Sequence, residues 1–208
     1  MNNSNTIIYV VDDDVSICRS LSLLLKSHEF RVETFTSAAA FLAFKHPKVL
    51  SCLVSDIRLP NINGFALQEK MAEEGIITPI IFITGCGDIP MSVKAIKAGA
   101  IDFISKPFTD KKLLESITLA LSKAKVLNKD QAEKAKIKQR IATLSPRELE
   151  VFHFVAQGMM NKNIATKRGT SLQTIKIHRG RVMQKMQAKT VTELIHLAQK
   201  VGIASSLE

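Results

Sequence analysis

The stretch that decides the fold is Ile7-Ile8-Tyr9-Val10-Val11-Asp12-Asp13, in which five apolar residues are followed at once by two carboxylates. Three later runs repeat this arrangement: Asp56 follows Cys52 to Ser55, Thr84 follows Ile80 to Ile83, and Lys106 follows Phe103 to Ser105. Short apolar runs are typical of strands buried on both faces, which occur in parallel sheets covered by helices. We therefore expect these polar groups to meet at the carboxyl edge of one sheet, where sites form.

Segments with a helical period separate the apolar runs. The candidates include Gly64 to Glu74, Ile89 to Ala98, and Thr109 to about Lys125. Strand and helix alternate five times, and this pattern indicates right-handed crossovers between parallel strands. The sequence therefore predicts an α/β, doubly wound domain with a five-stranded parallel sheet over residues 5–122.

Charge divides the chain into two parts. Residues 1–122 carry 12 Lys and Arg against 13 Asp and Glu, whereas residues 123–208 carry 17 against 6. A net charge of +11 on the second part favours a polyanionic partner, most simply nucleic acid, because Lys and Arg displace counterions from phosphates. Charge alone leaves open a basic surface that is merely solvated.

The cysteines and the amino-terminal residues indicate in which cellular compartment the protein functions. Three cysteines stand far apart without a C-x-x-C pair, which argues against a disulfide framework and a zinc site. The first residues lack the basic and apolar regions of a signal peptide, and no apolar stretch approaches the roughly 20 residues of a membrane span. We expect a soluble, cytoplasmic protein that does not contact a membrane.

The sequence predicts helices throughout the second part of the chain. Residues 123–142 hold helix-forming residues without a sustained apolar face, so we interpret them as a helical or semi-rigid linker that continues the last helix of the first domain. Over residues 143–204, Ser145 with Glu148 and Thr190 with Glu193 form capping boxes, and Gly169 separates two helices. Four helices with a tight turn between the middle pair predict an all-α helix-turn-helix domain.

The strand-end residues of the first domain suit phosphoryl chemistry. Asp12, Asp13 and Asp56 would repel one another unless a cation lies between them, and oxygen ligands favour Mg²⁺ or Mn²⁺. Lys106 and Thr84 would add a positive charge and a hydroxyl, which suit a dianionic phosphoryl group. Each residue alone could be an ordinary strand-end cap, but their combination favours a site.

These motifs resemble the receiver domain of two-component response regulators. The matching segments are Val-Val-Asp-Asp-Asp at 10–14, Ser-Asp-Ile-Arg-Leu-Pro-Asn-Ile-Asn-Gly at 55–64, Ile-Thr-Gly-Cys-Gly-Asp-Ile-Pro-Met at 83–91, and Lys-Ala-Gly-Ala-Ile-Asp-Phe-Ile-Ser-Lys-Pro-Phe at 97–108. The resemblance implies the flavodoxin-like strand order 2-1-3-4-5 and a cis peptide before Pro107. It also implies phosphoryl transfer from a histidine kinase to Asp56, with Mg²⁺ on Asp12, Asp13, Asp56 and the Arg58 main-chain carbonyl, and a switch through Thr84, Lys106 and Phe103.

The second domain resembles the LuxR/NarL-type helix-turn-helix. The resemblance lies in Leu-Ser-Pro-Arg-Glu-Leu-Glu-Val at 144–151, Gly-Met-Met-Asn-Lys-Asn-Ile-Ala at 158–165, and Thr-Ile-Lys-Ile-His-Arg-Gly-Arg-Val-Met-Gln-Lys-Met at 174–186. Lys176 and Ile177 are then the candidates for base edges in a major groove. The candidates for phosphates or sugars are Thr174, His178, Arg179, Arg181, Lys185, Lys162 and Asn161.

Two positions differ from the usual sequence pattern of the LuxR-type helix-turn-helix. Arg168 stands where a buried Leu is common, so either its stem snorkels or the packing under the turn differs. Gly180 lies within the predicted recognition helix, where it weakens the helix and removes a side chain that could read a base. We interpret Gly180 as allowing a closer backbone approach to DNA.

Together the two domains resemble a FixJ-type response regulator, which is not an enzyme. The implied partners are a sensor histidine kinase, a two-fold DNA operator, a second copy of the chain after phosphorylation, and RNA polymerase. One alternative is a dimer module that never takes phosphate. Another is a Mg²⁺-dependent phosphatase, but the haloacid dehalogenase type needs an Asp two residues after the nucleophile, where this chain has Arg58.

Overall fold

The computed structural model describes residues 6–85 and 89–203, which form two compact units that divide between Asn128 and Lys129. Cys86, within one of the receiver-like motifs, lies outside the described residues. Each unit has its own hydrophobic core.

The first unit alternates strands and helices. In chain order these are β1 (Thr6–Val11), α1 (Val15–Ser27), β2 (Arg31–Phe35), α2 (Ala38–Ala43), β3 (Leu50–Asp56), α3 (Gly64–Glu73), β4 (Ile80–Thr84), α4 (Ile89–Lys97), β5 (Asp102–Ser105) and α5 (Asp110–Ala142). All paired strands are parallel, and the sheet has the order β2-β1-β3-β4-β5. The predicted doubly wound fold and strand order are confirmed.

The central strands bury both of their faces. Along β1, Tyr9 packs with Phe41 and Phe82 on one side of the sheet, whereas Val10 packs with Leu25 on the other. Successive side chains of a strand point to opposite faces, so an uninterrupted apolar run fills two cores at once. The predicted site residues Asp12, Asp56 and Thr84 lie where these runs end.

Helix α5 includes the predicted helical linker. It runs without a break through the predicted linker, and the division between the units falls inside it. Ile137 is 1% exposed and belongs to the same core as Phe152, so the second half of the predicted linker contributes to the helical unit. The boundaries at 122/123 and 142/143 stay predictions.

The second unit continues with α6 (Pro146–Ala156), α7 (Asn161–Arg168), α8 (Leu172–Met186) and α9 (Val191–Lys200). Ser145 and Glu148 form the predicted capping box of α6, and Gly169 makes a left-handed turn between α7 and α8. Thr190 caps α9 as predicted, but the Glu193 carboxylate accepts a hydrogen bond from the Lys189 amide. In the described ranges, none of the helices combines the length and apolarity needed to cross a membrane.

Candidate phosphoacceptor site and nucleic-acid interface

The carboxyl edge of the sheet brings the predicted polar residues together. Asp56 is the last residue of β3 and Thr84 the last of β4, while Asp12 directly follows β1. The Lys106 Nζ atom, beyond β5, lies 2.8 Å from Asp12 Oδ2 and 3.7 Å from Asp56 Oδ1. The peptide between Lys106 and Pro107 is cis, as the resemblance implied.

Asp56 carries a buried carboxylate oxygen. The residue is 8% exposed, and its Oδ1 atom has no hydrogen-bond partner among the described groups. Burial raises the pKa of Asp56; the Lys106 ammonium opposes this rise and the Asp12 charge adds to it. A buried acceptor without a donor is unfavourable unless something else binds it. This oxygen is therefore the atom in the site best suited to an incoming group.

The other two carboxylates differ in what they contact. Asp12 is 1% exposed, and its two oxygens accept hydrogen bonds from the Lys106 ammonium and the Asp14 amide. Asp13 is exposed to solvent. As a result, no three Asp, Glu, His or Cys side chains of residues 6–85 and 89–203 lie close enough together to hold a metal ion. The chemistry of the predicted ligands still fits a hard cation, because the carboxylates of Asp12, Asp13 and Asp56 and the Arg58 carbonyl offer only oxygen atoms.

The predicted switch residues lie on adjacent strands. Thr84 is fully buried and its carbonyl accepts a 2.7 Å hydrogen bond from the Lys106 amide. Phe103 is half-buried, pairs with Phe82 across β4 and β5, and packs against the core on that side of the sheet. The Arg58 side chain is exposed, in the loop after β3.

Gly64 closes the loop that follows Asp56. Its amide donates to the Ile57 carbonyl at 2.9 Å, and Asn63 caps the helix that starts there. A Cβ atom on Gly64 would lie 2.8 Å from Phe82 Cε1 and 3.0 Å from the Asp56 carbonyl oxygen. The loop can close this tightly only because residue 64 has no side chain.

Helix α8 presents the basic surface of the second unit. Its 15 residues include four Lys and Arg and no Asp or Glu. Lys176, Ile177 and Arg181 are exposed, as is Lys162 on α7, so these predicted DNA contacts are accessible. Thr174 and His178 are half-buried, and the Thr174 hydroxyl lies 2.8 Å from that of Ser171.

Three basic side chains of α7 and α8 form hydrogen bonds or ion pairs inside the second unit. Arg179 donates to Asn161 Oδ1 at 2.5 Å, which joins α8 to the start of α7. Lys185 lies 2.6 Å from Glu148 Oε2 and also donates to the Thr143 carbonyl. Lys185, predicted to touch phosphate, is thus engaged in holding α8 against α6. Arg168 snorkels to a 2.7 Å ion pair with Glu150.

Glu148 is the residue whose importance sequence reasoning understated. It is 3% exposed and accepts from the Ser145 amide as well as from Lys185. These hydrogen bonds lower the pKa of Glu148 to about 2, with that from Lys185 contributing most. The capping-box pattern identified Glu148, but no local pattern identifies a partner 37 residues away.

Each of the two units matches a known protein family. The model of the response regulator receiver domain matches residues 8–118, and that of the bacterial regulatory proteins of the luxR family matches residues 142–198. Nodulation protein W of Bradyrhizobium diazoefficiens is 44% identical over 204 residues, 98% of this chain and 90% of that protein. The transcriptional regulatory protein FixJ of the same species is 41% identical over 196 residues, 94% and 96% of the two chains. The solved structure of the response regulator StyR matches with a TM-score of 0.73 at 39% identity, covering 94% of this chain and 99% of that one.

The strand order and the strand-end carboxylates define the first unit as a receiver domain. With its LuxR-type second unit, the chain belongs to the response regulators of two-component systems that control transcription.

Proposed function

We propose that Asp56 accepts a phosphoryl group from a sensor histidine kinase and that the phosphorylated chain dimerises and binds an operator. The observation that carries this proposal is the buried, unsatisfied Oδ1 atom of Asp56 beside Lys106. A carboxylate placed in this way can attack phosphorus and form an acyl phosphate, with the kinase histidine as the leaving group.

The metal site of this proposal consists of Asp12, Asp13, Asp56 and the Arg58 carbonyl, with Mg²⁺ preferred and Mn²⁺ acceptable. When bound, the cation offsets negative charge on the phosphoryl oxygens. Asp13 is exposed, so it is free to turn toward the site. Binding of a dication at Asp12 would compete with the Lys106 ammonium, which now donates to it. Lys106 would then be available to the phosphoryl oxygens, and the Thr84 hydroxyl would bind the same group.

An apolar surface on α4 supports the dimerisation step. Ile89, Val93 and Ile96 lie on one stripe of the helix and are 80%, 45% and 48% exposed. Side chains spaced in this way form a continuous patch that burial would stabilise. We assign this α4 stripe, with neighbouring β5, to contact with a second copy of the chain. Phe103 couples it to the site by moving inward when Thr84 engages the phosphoryl group.

The recognition helix α8 supports the DNA-binding step. Its accessible cations and the absence of acids suit a major groove, where Lys176 and Ile177 face base edges. Two such helices in a dimer read a two-fold operator. This role places the protein in the cytoplasm and in the neighbourhood of RNA polymerase, and the chain itself acts without enzymatic turnover of an external substrate.

The intact mass of the chain after incubation with a small phosphodonor and Mg²⁺ tests the phosphoryl step. We expect one phosphoryl adduct on the wild type and none on Asp56→Asn, which keeps the shape of the side chain. Omitting Mg²⁺ should slow the reaction strongly. An unmodified wild type would overturn the proposal in favour of a phosphate-independent dimer module, and steady release of phosphate would favour a phosphatase.

A further inference from the structure

Gly180 lies inside α8, where the fold of the second unit does not require a glycine. Its backbone is not in the left-handed region, and a Cβ atom built on it would meet nothing within 4 Å. Glycine is the poorest helix former after proline, so alanine would give a more stable helix here. Since neither the backbone nor the packing explains it, we look outside the domain for the group that lies against residue 180.

The surface around Gly180 has a definite chemical character. Lys176 and Ile177 lie four and three residues earlier, and they share a helix face with Gly180. Ile177 is 48% exposed, so its apolar side chain is accessible to a partner. This face therefore presents a cation, an apolar wall and a bare segment of backbone. Its complement is a surface that combines negative charge with a protruding apolar group.

We propose that the bare backbone at Gly180 accommodates the 5-methyl group of a thymine, with Ile177 packing against the same methyl. This inference rests on the DNA-binding role proposed above. Among the four bases, only thymine presents a methyl group in the major groove, where it projects from the base edge. A side chain at position 180 would occupy that space, so Gly180 determines specificity by its lack of a Cβ atom.

The test uses uracil, which lacks only the methyl group of thymine. The full chain, treated with phosphodonor and Mg²⁺, first selects its operator from a random duplex library. Binding is then measured by fluorescence anisotropy on operators with one thymine at a time replaced by uracil. At one thymine in each half-site, uracil should weaken wild-type binding about five-fold, within the range expected for a single base contact.

The variant Gly180→Ala should show the opposite preference. Its added methyl group competes with that of thymine, so we expect at least about five-fold weaker binding to the selected operator. Uracil at the contacted position should restore most of the affinity that Gly180→Ala loses. The four affinities form a double-mutant cycle, which gives the coupling energy between residue 180 and the base. Ile177→Ala should abolish the difference between thymine and uracil.

Stability provides the control, because Gly180→Ala should raise the midpoint of urea unfolding while it weakens binding. The inference is overturned if Gly180→Ala binds the thymine operator as tightly as the wild type, or if uracil restores binding at no position. If the wild-type chain selects no sequence at all, the library step fails first, and the DNA-binding role itself is wrong.

Discussion

The ion pair between Glu148 and Lys185 is the residue-scale contact with the clearest consequence for stability. We predict that Glu148→Gln lowers the free energy of unfolding by about 1–3 kcal/mol, because Lys185 and the Ser145 amide lose a charged acceptor. Glu133→Gln is a matched control: Glu133 also pairs with a lysine at 2.6 Å, but its side chain is 46% exposed, against 5% for Glu148. Urea unfolding of the full chain, followed by circular dichroism, compares the two variants.

The same contact gives a pH dependence with a definite sign. The pKa of Glu148 falls from 4.5 to about 2 in the folded chain, so the folded state favours the charged form. Its contribution to stability is complete above pH 4.5 and disappears as the pH falls through about 2. The stability difference between wild type and Glu148→Gln should therefore shrink across this window. A difference that stays constant from pH 6 to pH 2.5 would contradict this assignment.

For single residues, the sequence predicts where a side chain lies in the fold better than it predicts the hydrogen bonds that the side chain forms. Asp12, Asp56, Thr84 and Lys106 could be placed at one edge because strand ends follow from the apolar runs. The hydrogen bond from Lys106 to Asp12 and that from Lys185 to Glu148 could not, since each depends on side chains that meet only in the folded chain. Asp102 is a further example, as it binds Lys112 and Ser116 without any local pattern that predicts it.

At the scale of elements, α4 gives the most direct prediction. Val93→Asp places a charge in the middle of the exposed α4 stripe (Ile89, Val93 and Ile96), and we expect it to weaken the phosphorylated dimer at least about ten-fold. Because Val93 is 45% exposed, the fold of the receiver domain should tolerate the change. Sedimentation velocity after treatment with phosphodonor and Mg²⁺ measures the dimer.

Leu23→Asp is the control for this prediction. Leu23 is 63% exposed on α1, and α1 packs on the core on the other face of the sheet from α4. Leu23→Asp should leave the dimer unchanged, and both variants should accept one phosphoryl group by intact mass. If Val93→Asp dimerises as tightly as the wild type, the assignment of α4 is wrong.

Caps and turns made most elements predictable. Ser145 with Glu148 marked the start of α6, and Gly169 marked the turn before α8, because each has a specific backbone requirement. The contribution of α5 to the second core was less predictable, since its apolar residues, such as Ile137, are too sparse to indicate a core face. The core that receives Ile137 is built from helices that follow it in the chain.

At the scale of the whole molecule, the charge division has a physical meaning. The receiver domain is nearly neutral and the helical domain is strongly basic, so the proposed phosphoryl chemistry and the proposed contacts with the DNA backbone belong to different domains. A signal at Asp56 can affect DNA binding only if the phosphorylated and unphosphorylated chains differ in dimer affinity or in access to the helical domain. The exposed α4 stripe favours a difference in dimer affinity.

The most direct test of this account is the affinity of the full chain for its selected operator, with and without phosphodonor and Mg²⁺, in wild type and Asp56→Asn. We predict that phosphorylation tightens wild-type binding about ten-fold or more, within the usual range of allosteric coupling, and leaves Asp56→Asn unchanged. Equal wild-type affinity in both conditions, with Asp56 shown by mass to be phosphorylated, would contradict the proposed coupling between the two domains.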